Sequence, residues 1–263
     1  MEDLSHAKGY VDPAYLHAAA ERVAQLKQIT YQRMDINSGH HVLDVGCGPA
    51  TDTIPLAALV GSTGKSVGVD YDGQMVEAAN HRAEMEGVRG WVEHRQSDAY
   101  SLPFKAAAFD SCRSERLFQH LEDPARALAE MVRVTKPGGV LVVLDTDWAT
   151  ISIDTPESDV EKRVMRTLAE KLVSNGYAGR QLYRLFKQQG LQNIQVDVFP
   201  SVATNYSVAR MLGRLDDAAN EALAAGIVSA EELQRFQHGL EEADRNGLFF
   251  ACVNLVMVAG TKP

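Results

Sequence analysis

The nine residues from His41 to Pro49 constrain the fold more than any other stretch of the chain. Their sequence is His-Val-Leu-Asp-Val-Gly-Cys-Gly-Pro. The apolar part predicts a buried strand with Asp44 near its carboxyl end, and Gly46 and Gly48 then permit a sharp turn because they carry no Cβ. Thr51 to Val60 predicts a helix, whose free N–H groups attract anions and lone pairs. A strand, a glycine turn and a helix form the first half of a nucleotide-binding βαβ unit.

A second predicted strand, Ser66 to Asp70, ends in a carboxylate. Asp70 follows Gly46 by 24 residues, close to the spacing of about 20 residues at which an acid binds ribose hydroxyls. A carboxylate suits a vicinal diol because it accepts two hydrogen bonds. Tyr71 and Met75 come next and are candidates to flank an adenine, although a core position for Met75 fits the sequence equally well.

The later strands continue the alternation of strand and helix. Gly90 to Arg95 predicts a weaker strand at an edge, with Asp98 after it, and Phe109 to Arg113 and Val140 to Asp145 predict two more strands. This alternation predicts a parallel sheet. The segment from Ser114 to Pro124 lies beyond the end of a strand, where open α/β sheets bind their ligands.

Five features recur in a characteristic order and cover residues 40–146. They are Asp44 to Gly48, Asp70, Asp98, the His-Leu-Glu-Asp-Pro segment from His120 to Pro124, and the Lys-Pro-Gly-Gly turn from Lys136 to Gly139. Jointly they resemble the class I S-adenosylmethionine (SAM) methyltransferases, and most of all the ubiquinone/menaquinone-type and small-molecule natural-product enzymes. The resemblance implies an α/β fold with a doubly wound, mostly parallel seven-stranded sheet and helical N-terminal and C-terminal lid elements.

The resemblance implies SAM as the cofactor. In that family the glycine turn passes beside the methionine part of SAM, so Asp44 would support its amino group. Asp70 would bind the ribose, and Asp98 would accept from the adenine amino group. The cofactor-binding residues implied are Asp44, Gly46, Cys47, Gly48, Asp70, Tyr71, Met75, Asp98, Ala99 and Arg113.

The implied chemistry moves a methyl group from a sulfonium to a nucleophile by in-line displacement. Positioning and desolvation supply much of the rate, and a base is needed only where the nucleophile must lose a proton. His120 and Tyr10 are the candidate catalytic residues. The ordinary pKa of a histidine suits proton transfer near neutrality, although a packing role for His120 fits equally well. Weaker candidates near the expected pocket are Arg116, Asp147 and Trp148.

Two other functions stay open at this point. An NAD-dependent oxidoreductase on a Rossmann fold would carry Gly-x-Gly-x-x-Gly, and Thr51 stands at the third glycine position, which argues against it. A non-catalytic SAM-binding interaction protein would share every feature above, so only a turnover assay separates it from an enzyme. The sequence predicts no metal site, because no His, Cys and carboxylate residues have ligand spacing.

The chain of 263 residues predicts a single methyltransferase domain. Residues 1–36 would form an N-terminal lid helix, residues 37–150 the SAM-binding core, and residues 151–263 the C-terminal half of the sheet. A helical insertion at about 201–246, in which Ser207 to Ala225 predicts one helix, would roof the site together with the N-terminal lid.

Composition narrows the class of acceptor and the compartment. The net charge of −9 and the pI of about 5.4 disfavour nucleic acids and anionic membranes as partners, because both attract basic surfaces. The first residues lack the features of a signal peptide, no apolar run approaches the roughly 20 residues of a membrane span, and the three cysteines are widely spaced. We therefore expect a cytoplasmic protein that acts on a small, apolar or aromatic acceptor.

Overall fold

The computed structural model of the protein describes residues 24–263. Helix α1, Ala24–Arg33, is the described part of the predicted N-terminal lid. Tyr10 and the other residues of that lid before Ala24 lie outside the described residues. Across residues 24–263, no helix has both the length and the apolar character that a membrane span requires.

Seven strands form one sheet. In chain order they are β1 His41–Val45, β2 Lys65–Asp70, β3 Val92–Gln96, β4 Phe109–Glu115, β5 Thr135–Ile153, β6 Gln192–Ala203 and β7 Ala251–Thr261. The central strand β1 buries Val42 and Leu43 completely. A strand whose neighbouring side chains are all buried indicates a sheet covered by helices on both faces.

The spatial order of the strands is β3-β2-β1-β4-β5-β7-β6. Strands β1 to β5 pair in parallel, whereas β7 is antiparallel to both β5 and β6. The seven strands and the Rossmann-like fold are confirmed, and the pairing of β1 to β5 is parallel as expected, but the whole sheet is mixed because of β7. After β6 the chain re-enters the sheet from the same end at which β6 left it. Strand β7 therefore lies between β5 and β6 and runs in the opposite direction to both.

The helices after α1 cover the sheet and its C-terminal end. They are α2 Thr53–Val60, α3 Gly73–Met85, α4 Pro124–Val134, α5 Ser158–Thr167, α6 Ala178–Gln188, α7 Tyr206–Gly213, α8 Leu215–Ala224 and α9 Ala230–Arg245. The single helix predicted over Ser207 to Ala225 is wrong: Arg214 adopts a left-handed conformation with φ of 49° and separates α7 from α8. The Lys136–Gly139 turn lies within β5, as a bulge where the pairing register with β4 shifts.

Three apolar clusters hold these layers together. Helices α4 and α6 pack on one face of the central strands around Phe118 and Phe186, and α1 and α2 pack on the other face around Tyr31 and Leu56. A third cluster joins α5, α8 and α9 to the far end of β5 through Trp148. This arrangement puts the C-terminal helices beside the carboxyl ends of the parallel strands, where the site lies.

Candidate functional site

The glycine turn after β1 is tied to the end of β2. Gly46 and Gly48 have φ values of 79° and 51°, in the left-handed region that favours glycine. The N–H groups of Gly46 and Cys47 both donate to the carbonyl of Val69, at 2.8 and 3.0 Å. The N–H of Gly48 donates to Asp70 Oδ2 at 2.8 Å. The turn and the acid that the sequence singled out are therefore in direct contact.

Asp70 keeps the capacity to accept further hydrogen bonds. Its Oδ1 accepts a hydrogen bond from the N–H of Asp72 at 3.0 Å. Each carboxylate oxygen therefore accepts a hydrogen bond from a backbone N–H group. A carboxylate offers about four lone-pair sites. Burial raises the pKa of Asp70 above its ordinary value. The hydrogen bonds from the backbone N–H groups of Asp72 and Gly48 lower it, but burial has the larger effect. Tyr71, which follows it, leaves 77% of its surface exposed.

The loop after β3 adjoins Asp70. The N–H of Ser97 donates to the carbonyl of Asp70 at 2.8 Å, and the neighbouring Asp98 is exposed, with Oδ1 accepting from the N–H of Tyr100 at 2.8 Å. Ala99 packs partly against the core. The structure therefore brings Asp98 to the same edge of the sheet as Asp70. Two other predicted contacts, the side chains of Met75 and Cys47, are buried.

A buried cluster of charges lies behind the glycine turn. Arg113 on β4 is 1% exposed and forms ion pairs with Asp52 at 2.8 Å, with Glu115 at 2.7 Å and with Asp44 at 3.5 Å. Lys27 of α1 adds a further pair to Asp52. Asp44 and Arg113 thus contact each other, and both are buried on the interior side of the glycine turn. We interpret them as supports of the turn.

Burial and the neighbouring cations act in opposite directions on the two acids of this cluster. Burial raises the pKa of Asp44 to about 7, because the attraction of Arg113 does not compensate for lost hydration. Burial also acts to raise the pKa of Asp52, but Arg113 and Lys27 outweigh it and hold that pKa below its usual range. Asp52 also accepts a hydrogen bond from the Tyr31 hydroxyl at 2.6 Å.

An apolar cavity lies beyond the end of β4 and against the second half of β5. Its wall includes Trp148 from β5, Val202 from β6, Val208 from α7 and Val253 from β7. Arg116, just past the end of β4, also lines it. The insertion between β6 and β7 contributes α7 to this wall.

His120 does not line this cavity. It ends the single 3₁₀ turn Phe118–His120, and the cavity wall includes Arg116 and Gln119 from the same segment. Burial lowers the pKa of His120 to about 4, with Arg214 and Arg116 adding to the effect. A buried imidazole near two guanidinium groups resists protonation, and a role for His120 in proton transfer stays a prediction.

The sequence missed most of the charge cluster. No recognised motif includes Lys27, Asp52 or Glu115. Their ion pairs join segments that are far apart in the chain. One signal in the sequence did indicate a charge cluster. Arg113 lies in a predicted buried strand, and a buried arginine requires an acidic partner. Asp147, a weaker candidate for the site, pairs instead with Arg180 at 2.7 Å.

Comparison with known proteins supports the same family as the site. Residues 43–143 match the profile of the methyltransferase domain family. The chain is 36% identical over 247 residues to an uncharacterised 37.1 kDa protein in transposon Tn4556 of Streptomyces fradiae, and the match covers 94% of this chain and 70% of that protein. It is 30% identical over 184 residues to a demethylmenaquinone methyltransferase of Bacillus cereus, covering 65% of this chain and 77% of that enzyme.

A solved structure shares the fold. A methyltransferase-like protein from Bacillus halodurans superposes with a TM-score of 0.63 at 20% identity, and the match covers 90% of this chain and 99% of that one. Membership of this family supports methyl transfer and argues against the NAD-dependent oxidoreductase. SAM is the cofactor of this family. The chain belongs to the SAM-dependent methyltransferases.

Proposed function

We propose that the chain transfers the methyl group of SAM to a small, largely apolar or aromatic acceptor bound in the cavity roofed by α7. The observation that carries this is the adjacency of the two regions. Leu117 packs against Gly46, within 3.2 Å of where a Cβ would stand. Arg116, its neighbour in sequence, lines the cavity. A single segment therefore separates the glycine turn from the apolar cavity.

The residues at the ends of β1 to β3 fit SAM. Asp70 has acceptor capacity left on its carboxylate for the ribose hydroxyls, the exposed Tyr71 ring offers a face to the adenine, and the exposed Asp98 can accept from the adenine amino group. We assign Gly46, Cys47, Gly48 and Ala99 to backbone contacts, and Met75 to the adenine wall. We assign Asp44 and Arg113 an indirect role, in which they hold the turn.

The mechanism rests on positioning. The cofactor supplies the methyl group on an electrophilic sulfonium. The apolar walls exclude water and hold the acceptor beside the glycine turn, which contributes through orientation and desolvation. His120 would take part only as a weak proton acceptor, since its pKa is about 4. Tyr10, the other candidate, lies outside the described residues.

The class of acceptor follows from the walls and the charge. An apolar concave site fits a small molecule, and the net charge of −9 disfavours a polyanion. The curated relative named a demethylmenaquinone methyltransferase points to a quinone-like acceptor. We propose a single domain of 263 residues in which the segment at about 201–246 acts as a lid.

A steric block of the cavity tests this function. Val208→Trp places a large ring in the wall, whereas Met211→Trp changes an exposed residue of the same helix, 51% of whose surface is free. With a quinol panel and labelled SAM, we expect methyl transfer by the wild type, a loss of at least about tenfold in kcat/KM for Val208→Trp, and near-wild-type values for Met211→Trp.

Calorimetry with S-adenosylhomocysteine accompanies the assay. Both variants should bind it as the wild type does, because the cavity lies beyond the cofactor residues. Equal activity of the two variants would contradict the assignment of the cavity. Cofactor binding without turnover on any small acceptor would favour a non-catalytic SAM-binding protein.

A further inference from the structure

The cavity that we assign to the acceptor contains one charged side chain among the described residues of its wall, Arg116. The other polar side chains there are those of Gln119, Thr146, Ser201 and Cys252. Gln119 is already engaged at both ends of its amide, since it donates to the carbonyl of Arg116 at 3.0 Å and accepts from the Trp148 indole. A charge in an otherwise apolar wall dominates recognition because little else there competes with it.

The guanidinium of Arg116 is only partly neutralised. Its Nη2 lies 3.2 Å from Glu115 Oε1, but Glu115 also faces Arg113 at 2.7 Å and Lys27 at 3.5 Å. One carboxylate is thus shared among three cations. Among residues 24–263 the buried Nε of Arg116 has no hydrogen-bond partner, so the guanidinium is incompletely satisfied by the described part of the protein.

A second cation, Arg214, acts on the same segment as Arg116. The two charged groups that lower the pKa of His120, after burial, are Arg214 and Arg116. Arg116 also has a φ of 54°, a left-handed conformation that is unfavourable for a residue with a Cβ and that clusters at ligand sites. Its N–H donates to the carbonyl of Leu144 at 2.8 Å, which fixes this conformation against β5.

We propose that Arg116 recognises the acceptor, and that the acceptor carries an anionic oxygen, as a carboxylate, phenolate or enolate does, at one end of its apolar body. The inference rests on the proposed function, because it places the acceptor in the same cavity. The oxyanion would pair with the guanidinium of Arg116, whose side chain keeps 16% of its surface exposed, while the apolar body lies along the walls formed by Trp148, Val202 and Val208. Arg116 is therefore a specificity-determining residue for the class of acceptor.

Two isosteric probes test the sign of charge without knowledge of the natural acceptor. 1-Naphthoate is an anion with an apolar body, and 1-naphthamide has nearly the same shape without the charge. Each is titrated by calorimetry into the protein saturated with S-adenosylhomocysteine. We expect the wild type to bind 1-naphthoate at least about tenfold more tightly than 1-naphthamide, as for a hydrogen bond to a charged group.

Three variants locate the preference. Arg116→Gln should bind both probes equally, and Arg116→Lys should retain part of the preference because it keeps the charge without the planar guanidinium. Arg210→Gln is the control: Arg210 lies on α7, is half-exposed, pairs with Asp216 at 2.6 Å and does not line the cavity. It should keep the wild-type preference. Thermal melting shows whether each variant is folded before it is titrated.

The outcomes separate this inference from the proposed function. Absence of S-adenosylhomocysteine binding to the folded wild type would contradict the proposed function itself. Normal binding of that compound, combined with no preference for 1-naphthoate or with no binding of either probe, would overturn only the role of Arg116. A preference that persists in folded Arg116→Gln would overturn it as well, and retention by Arg116→Lys alone would support it.

Discussion

Asp70 connects the two halves of the cofactor region through one side chain. One carboxylate oxygen accepts the N–H of Gly48 in the glycine turn, and the other accepts the N–H of Asp72 at the start of α3. A residue that shapes the turn and is also proposed to bind the ribose contributes to affinity in both ways. We therefore expect its removal to affect SAM binding both directly and through the turn.

Replacement of Asp70 by alanine should weaken the binding of SAM by about 1.5–3 kcal/mol, the range for a hydrogen bond to a charged group. Glu77→Ala changes an exposed acid on the same helix that Asp72 caps, and should leave the affinity unchanged. Isothermal calorimetry measures both. An Asp70→Ala protein that is folded and binds SAM as the wild type does would remove Asp70 from the proposed contacts.

The sequence alone was enough to identify candidate residues that lie at or just after the ends of strands. The glycine turn, Asp70 and Asp98 each follow a strand end, and the chain order alone puts such ends at one edge of a sheet. Arg116 was a weak candidate, because its significance comes from a cavity wall built by α7 and β5 to β7. The helix break at Arg214 was missed for a similar reason: a left-handed arginine is set by packing, and local propensity does not indicate it.

Helix α1 is fixed to the sheet by charges as well as by apolar packing. Lys27 is 7% exposed and pairs with Asp52 and, at 3.5 Å, with Glu115. Tyr31 buries its ring in the cluster around Leu56 and donates to Asp52. The helix therefore contacts the segment that follows the glycine turn, and its position is coupled to the shape of the cofactor region.

Loss of the buried charge on α1 should destabilise the fold. Lys27→Met leaves Asp52 and Glu115 buried with one cation fewer, and removal of one partner from a buried pair costs about 3 kcal/mol. Lys65→Met is the matched control, because Lys65 pairs with Glu93 while its side chain is 41% exposed, and such a pair contributes less than about 1 kcal/mol. Urea unfolding compares the two, and equal losses would show that the burial of the Lys27 pair has no special effect.

The mixed sheet determines how the whole molecule divides its tasks. Strands β1 to β3 carry the residues proposed for the cofactor, whereas the antiparallel β7 and its neighbour β6 contribute walls of the acceptor cavity. The insertion α7 to α9 connects these last two strands, and α7 lines the cavity. Variation in that insertion would therefore alter the acceptor site while the cofactor residues stay in place.

Buried ionisable groups make the stability of the whole molecule depend on pH in opposing ways. Burial raises the pKa of Asp44 and of Asp145 to about 7, so in the folded state these acids hold protons that the unfolded chain releases, and their contribution falls as pH rises from about 4 to 7. Burial lowers the pKa of His94 to about 4. The unfolded chain binds that proton first, so the contribution of His94 falls as pH drops from 6.5 to 4.

A variant isolates the histidine from this background. His94 contacts the Thr53 hydroxyl at 2.7 Å and the Asn80 side chain at 3.2 Å, and His94→Gln keeps a polar side chain there without an ionisable group. The wild type should exceed this variant in free energy of unfolding at pH 7, and that difference should shrink by about 2 kcal/mol by pH 4.5, since each pKa unit corresponds to about 1.4 kcal/mol. Denaturant titrations at a series of pH values measure the difference, in which the effects of Asp44 and Asp145 cancel. A difference that stays constant across this range would show that His94 takes up its proton equally well in the folded and unfolded states.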